Sequence, residues 1–157
     1  MKLKRGDIKM KNEEKVLSRE QMNHLQELGV DTSDAGMYWV RAKRIIGKQR
    51  NNVLDNEMGK WRLSLSKSIV HSVDWAVESV PTYTIGDLIE KLPKSIDIGY
   101  GEYDLEILIK GEYVEVKYAN DGDYTPFSCS NLSLIESLYS ILCWLAKTHK
   151  ELLDVKK

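Results

Sequence analysis

The stretch Glu102-Tyr103-Asp104-Leu105-Glu106-Ile107-Leu108-Ile109-Lys110-Gly111-Glu112-Tyr113-Val114-Glu115-Val116-Lys117-Tyr118-Ala119 decides the fold. Tyr103, Leu105, Ile107 and Ile109 recur at every second position, and Val114, Val116 and Tyr118 continue the pattern beyond a glycine. Period two with β-branched and aromatic residues is the signature of strands buried on one face. A two-residue Lys110-Gly111 turn pairs Leu105 with Val116 and Ile107 with Val114, whereas a slip by one residue sets Glu115 beside Leu105. The spacing therefore predicts a β-hairpin in that register.

Outward from the hairpin, helical and extended signals alternate. Toward the C-terminus, a polar loop over 120–131 leads to an apolar helix from about Leu132 to Thr148, with Leu134, Ile135, Leu138, Ile141, Leu142 and Leu145 on its inner stripe. Tyr139, Cys143 and Trp144 widen that stripe, so the helix either packs deeply on a sheet or shares a flank with a second copy. Toward the N-terminus, Thr84 caps a helix over Ile85–Leu92 that Pro93 stops, and Ser18 with Gln21 forms a capping box opening a helix over Arg19–Leu28. Met37–Ala42 and Lys60–Ser66 read as strands, with a polar loop over Gly47–Gly59 between them. Ile69–Val80 reads as extended on its valine content, with Pro81 as its break. The expected class is α+β: an antiparallel sheet of four to five strands, combining the tryptophan-bearing strands with the hairpin, and helices packed on one face. A basic tail over 1–16 precedes a single domain over 17–157.

The 157 residues suit one domain, and 42% hydrophobic with 30% charged residues excludes wholesale disorder. A formal net charge of -1 gives no overall bias toward nucleic acid or membrane, and no segment has the roughly 20 apolar residues of a membrane span. Cys129 and Cys143 show no metal or redox spacing, which points to reduced thiols in a cytoplasmic protein. His24, His71 and His149 fall on separate elements, so no metal-ligand pair is expected among them, and no cofactor motif is found. Gly99-Tyr100-Gly101 has neither the third glycine nor the following helix of a phosphate loop and reads as a turn.

Two patterns carry chemistry. On the polar face of the hairpin, Asp104 and then Glu115-Val116-Lys117 form an Asp…Glu-x-Lys arrangement that resembles the core of the PD-(D/E)xK nuclease superfamily. The resemblance implies a divalent metal held by Asp104 and Glu115, with Lys117 beside the attacking water, and the register adds Glu106 as a further candidate ligand. In the register above, Asp104 faces Lys117 and Glu106 faces Glu115, a like-charged pair that a cation would relieve. The same residues equally make the solvent face of an amphipathic hairpin. The second pattern is a charge asymmetry: the segment 37–62 carries seven Lys or Arg against Asp55 and Glu57, while 97–123 carries eight acids against Lys110 and Lys117. With Trp39 and Trp61, the basic segment offers a stacking and phosphate surface for single-stranded nucleic acid.

A resemblance of a different kind covers most of the chain. The blocks Leu17–Ser33, Met37-Tyr38-Trp39-Val40, Pro81–Lys94 and the helix around Tyr139–Leu145 are similar to short uncharacterised proteins from gut Bacteroidetes genomes and their prophage-like elements. It implies a shared single-domain fold and an accessory role in a mobile element, with no assigned activity to carry over. The leading expectation is a small non-enzymatic protein-interaction domain with an unknown protein partner, or a homodimer formed through the 132–148 helix. The nuclease and the nucleic-acid binder are the alternatives.

Overall fold

The computed structural model describes residues 15–44, 59–66, 75–99 and 101–154. The chain is α+β: α1 (Arg19–Glu27), β1 (Met37–Arg44), β2 (Arg62–Ser64), β3 (Trp75–Thr82), α2 (Ile85–Lys91), β4 (Ser95–Ile98), β5 (Gly101–Lys110), β6 (Tyr113–Ala119), β7 (Phe127–Asn131), α3 (Leu134–Thr148) and a closing 3-10 turn (Lys150–Leu152). Most of the expected tail, the 47–58 part of the expected loop and residues 69–74 lie outside the described residues. Val16, placed in the tail by its sequence, instead bridges to Thr84 and is buried.

Local chemistry sets the helix ends. Ser18 Oγ accepts from Gln21 N at 3.1 Å while Gln21 Oε1 accepts from Ser18 N at 2.9 Å, so both sides of the capping box are made. Thr84 and Asp87 repeat the device on α2. Gly29 ends α1 at φ +79, a backbone state that costs glycine little.

The strands divide between two antiparallel sheets, β2-β1-β3 and β4-β5-β6-β7. The tryptophan-bearing strands and the hairpin thus lie in separate sheets. Pro81 does not break β3 but sits within it, opposite Tyr38 on an edge strand. Proline has no N–H to offer a further strand, so it suits the edge where this sheet ends. Two strands were hidden in the sequence: β4 follows Pro93 with only Ile96 and Ile98 apolar, and β7 lies in the expected 120–131 loop.

Helix α3 lies over β6 and β7 and also meets α1 and α2. Ile135, Leu138, Ile141, Leu142 and Leu145 pack with Val116 and Tyr118 in the core. Leu17 joins this layer to the three-stranded sheet: fully buried, its carbonyl accepts from Trp39 Nε1 at 2.9 Å and Thr82 Oγ1 at 2.7 Å. No helix among the described residues is long and apolar enough to cross a membrane.

The hairpin register differs from the expected one by two residues. Leu105 faces Tyr118, Ile107 faces Val116, Glu106 faces Lys117, and Lys110 faces Tyr113 around a Gly111-Glu112 turn. Gly111 takes φ +61 and no non-glycine residue among the described residues has positive φ, the sign pattern of a type II′ turn with glycine first. The expected Lys110-Gly111 turn asked lysine to occupy that first position. A two-residue shift leaves every side chain on its original face, so alternation could not separate the two registers.

Candidate interaction surface

The observed register decides what the polar face of the hairpin can do. Glu106 Oε2 meets Lys117 Nζ at 3.5 Å, and Glu115 Oε2 meets Lys110 Nζ at 2.6 Å. Ser128 Oγ donates to Glu115 Oε1 at 3.1 Å from β7. The Lys110 contact holds the Glu115 carboxyl below its usual range, with Ser128 acting in the same direction and burial opposing both. The like-charged Glu106–Glu115 opposition of the expected register is replaced by two ion pairs. Asp104 faces Ala119 on one side and Ser95 on the other, and it is exposed. Glu115 faces Leu108, four residues further along β5, so Asp104 and Glu115 stand about 13 Å apart along the strand direction. A magnesium ion held at about 2 Å by each ligand does not span that separation. Among the described residues no three His, Cys, Asp or Glu side chains are grouped to hold a metal ion.

The opposite face of β5 changes character along its length. Tyr103 is 5% exposed, Ile107 is 37% and Ile109 is 81%, although all three share the face that packs on the core. Tyr103 has Ile96 of β4 opposite it and the Tyr124 ring 6.0 Å away, while α3 lies over β6 and β7 and β4 does not reach the far end of β5. Val114, opposite both Ile109 and Asn131, is half-buried, and Leu132, next in the chain after Asn131, is 69% exposed. The outcome is an apolar end to the four-stranded sheet, continuous with the core and open to solvent.

That end is also a backbone edge. Strand β4 pairs with β5 only from Gly101 to Asp104. Leu105 N donates to Lys94 O at 2.8 Å, which places the backbone groups of Leu105 on the β4 side. Strand alternation then aims the N–H and C=O of Ile107 and Ile109 the same way. Beyond Leu105, no described strand pairs with that side of β5.

Elsewhere the fold assembles a cluster from residues far apart in the chain. Along the α1–α3 seam, Gln21 Nε2 donates to both Glu136 oxygens at 3.1 and 3.0 Å, and His24 Nδ1 lies 2.6 Å from Tyr139 Oη and 3.8 Å from Cys143 Sγ. A thiol beside an imidazole suggests a nucleophile. Burial, however, pushes the Cys143 thiol up, with Tyr139 and Lys147 only partly opposing, and Cys143 is 8% exposed. An inaccessible protonated thiol is a packing residue. The His149 ring lies 5.4 Å from that of Trp144, tilted by 49°, while His71 lies outside the described residues.

Residues 45–58 of the basic segment lie outside the described residues; in the described part the two tryptophans are not free stacking platforms. Trp39 is buried with its indole N–H committed to Leu17 O. Trp61 remains half-buried, with the Arg19 and Arg41 guanidiniums 4.3 and 4.6 Å from its ring centre, and Arg41 also bonds Glu78 at 2.8 Å. An open cleft of about 860 Å³ lies between the end of α2 and the final 3-10 turn, but Lys91 on its wall is already tied to Asp31 O and Asp34. Among the described residues, the apolar end of β5 joins an exposed aliphatic side chain to an unpaired strand edge. The chain matches no protein-family model, no curated protein and no solved structure.

Proposed function

We propose that the chain is a small non-enzymatic protein-interaction domain whose docking surface is the apolar end of the four-stranded sheet. The observation that carries this reading is the exposure gradient on one face of β5, from 5% at Tyr103 to 81% at Ile109. Covering a side chain such as Ile109 contributes roughly 1.5–3 kcal/mol, and a neighbouring free strand edge supplies directed hydrogen bonds. Aliphatic residues beside an open edge invite an added strand unless a partner or a blocking device covers them.

The interface is thereby moved from the 132–148 helix to the hairpin. The inner stripe of α3 is spent within its own chain, where Ile135, Leu138, Ile141, Leu142, Leu145 and Ala146 are buried. Only Leu132, just before the helix, contributes an exposed aliphatic side chain to the same end of the molecule.

A photo-crosslinking residue at position 109, with a control at exposed Glu20, tests the reading in the cell that makes the protein. The expected result is a discrete protein adduct at 109, absent at 20 and competed by excess unlabelled chain. Equal, diffuse labelling at both positions would contradict it.

A further inference from the structure

We infer that the partner seated on this edge is a second copy of the chain, added as an antiparallel β5–β5 pair about a twofold axis through Leu108. The inference rests on the interaction reading above and names its partner.

The free segment runs from Glu106 to Lys110, about the length of an average strand. Antiparallel pairing centred on Leu108 sets Leu108 opposite itself, Ile107 opposite Ile109 of the second copy, and Glu106 opposite Lys110 of the second copy. The backbone permits this register. Ile107 and Ile109 are the residues whose N–H and C=O face the open edge, and an antiparallel hydrogen-bonded pair requires both members to face each other in that way. Leu108, whose backbone groups face β6, occupies the non-hydrogen-bonded position on the axis.

Side-chain chemistry agrees on both faces. On the core side, Ile107 and Ile109 of each copy meet those of the other, covering the residue that is 81% exposed in the single chain. On the polar side, Glu106 already pairs with Lys117 at 3.5 Å and Lys110 with Glu115 at 2.6 Å. Joining the copies extends these into a row of alternating sign, Lys117, Glu106, then Lys110 and Glu115 of the second copy, and the symmetry repeats the row in reverse. Opposite charges directly across strands favour pairing, and like charges there oppose it. A sheet edge whose charges complement their own reversed order suits an isologous twofold contact. A net charge of -1 per chain adds little long-range repulsion.

Leu108→Cys tests the register. A non-hydrogen-bonded antiparallel pair brings Cα atoms to about 4.5 Å, within disulfide reach, whereas Glu106→Cys places its thiols about 13 Å apart along the strand direction and out of reach. Mild oxidation of Leu108→Cys is expected to yield a covalent dimer that neither Glu106→Cys nor the wild type, with its native Cys129 and Cys143, forms. Leu108→Lys supplies the second readout. The new ammonium faces Glu115 in its own chain, so folding is retained, but it faces its own image across the axis, and the variant is expected to sediment as a monomer where the wild type is a dimer. A monomeric wild type, or equal crosslinking at 106 and 108, would overturn the self-pairing. If the probe at position 109 captures a different protein while Leu108→Cys stays monomeric, self-pairing fails and the interaction reading stands; no adduct at 109 removes both.

Discussion

Tyr83 donates its hydroxyl to Asp34 Oδ1 at 2.6 Å and lies 2.8 Å from Asp31 O, tying the strand before α2 to the turn before β1. Its ring is fully buried, and Lys91 Nζ reaches the same two residues from the solvent side. Tyr83→Phe keeps the ring packing and deletes the donor. The expected loss is about 1–2 kcal/mol in urea unfolding, because Lys91 still serves the acceptors left behind. A loss under a few tenths would mean that the turn is held by Lys91 alone.

Burial raises the ionisation of Tyr83, Tyr118 and Tyr139 above the ordinary tyrosine value of 10.0, with Asp34 adding to the effect at Tyr83. The folded state therefore keeps these protons at pH values where the unfolded chain releases them. This stabilising contribution is complete below pH 10 and is lost as pH rises through the raised values. Melting temperatures measured from pH 8 upward are expected to hold and then fall once pH exceeds about 10, with Tyr118→Phe moderating the fall.

Cys129 and Cys143 should separate kinetically. Cys129 is half-buried on edge strand β7, whereas Cys143 is buried with its thiol pushed up. A disulfide-exchange reagent is expected to titrate one thiol in the native protein and the second only after urea is added, because the thiolate is the reacting form. Two fast native thiols would show the α1–α3 seam to be open.

Gly111 occupies φ +61 at the first turn position between β5 and β6. Gly111→Ala forces a left-handed backbone on a residue with a Cβ and is expected to cost about 1–2 kcal/mol. The same change at Glu112 is expected to fall within about 0.5 kcal/mol, as for most surface positions away from special features. Reversal of that order would restore the Lys110-Gly111 turn.

The parts legible from sequence were those written in local chemistry. Ser18 with Gln21, and Thr84 with Asp87, carry their helix starts in side chains three residues apart. Alternation assigned the faces of β5 and β6 correctly but was blind to a two-residue shift, and the register then rearranged the charged pairs on which a metal site depended. Strand β7, Phe-Ser-Cys-Ser-Asn, has too little apolar content to announce itself and gains its pairing from β6. The seam joining His24 to Tyr139 and Cys143 spans more than 100 residues of sequence, a contact that no local pattern encodes. The exposed end of β5 was unreadable for a related reason: Ile109 has the same sequence pattern as Tyr103, and the cover that Ile96 and Tyr124 give Tyr103 comes from other parts of the chain.

Self-pairing of the β5 edge is read by backbone amide exchange at Ile107 and Ile109, since both N–H groups face an edge that no described strand occupies. Fast exchange at these two amides is expected in dilute protein, with marked protection as concentration rises, while the Leu108 amide, bonded toward β6, changes little. Equally fast exchange at 107 and 109 at every concentration, with the rest of β5 protected, would contradict the self-pairing edge.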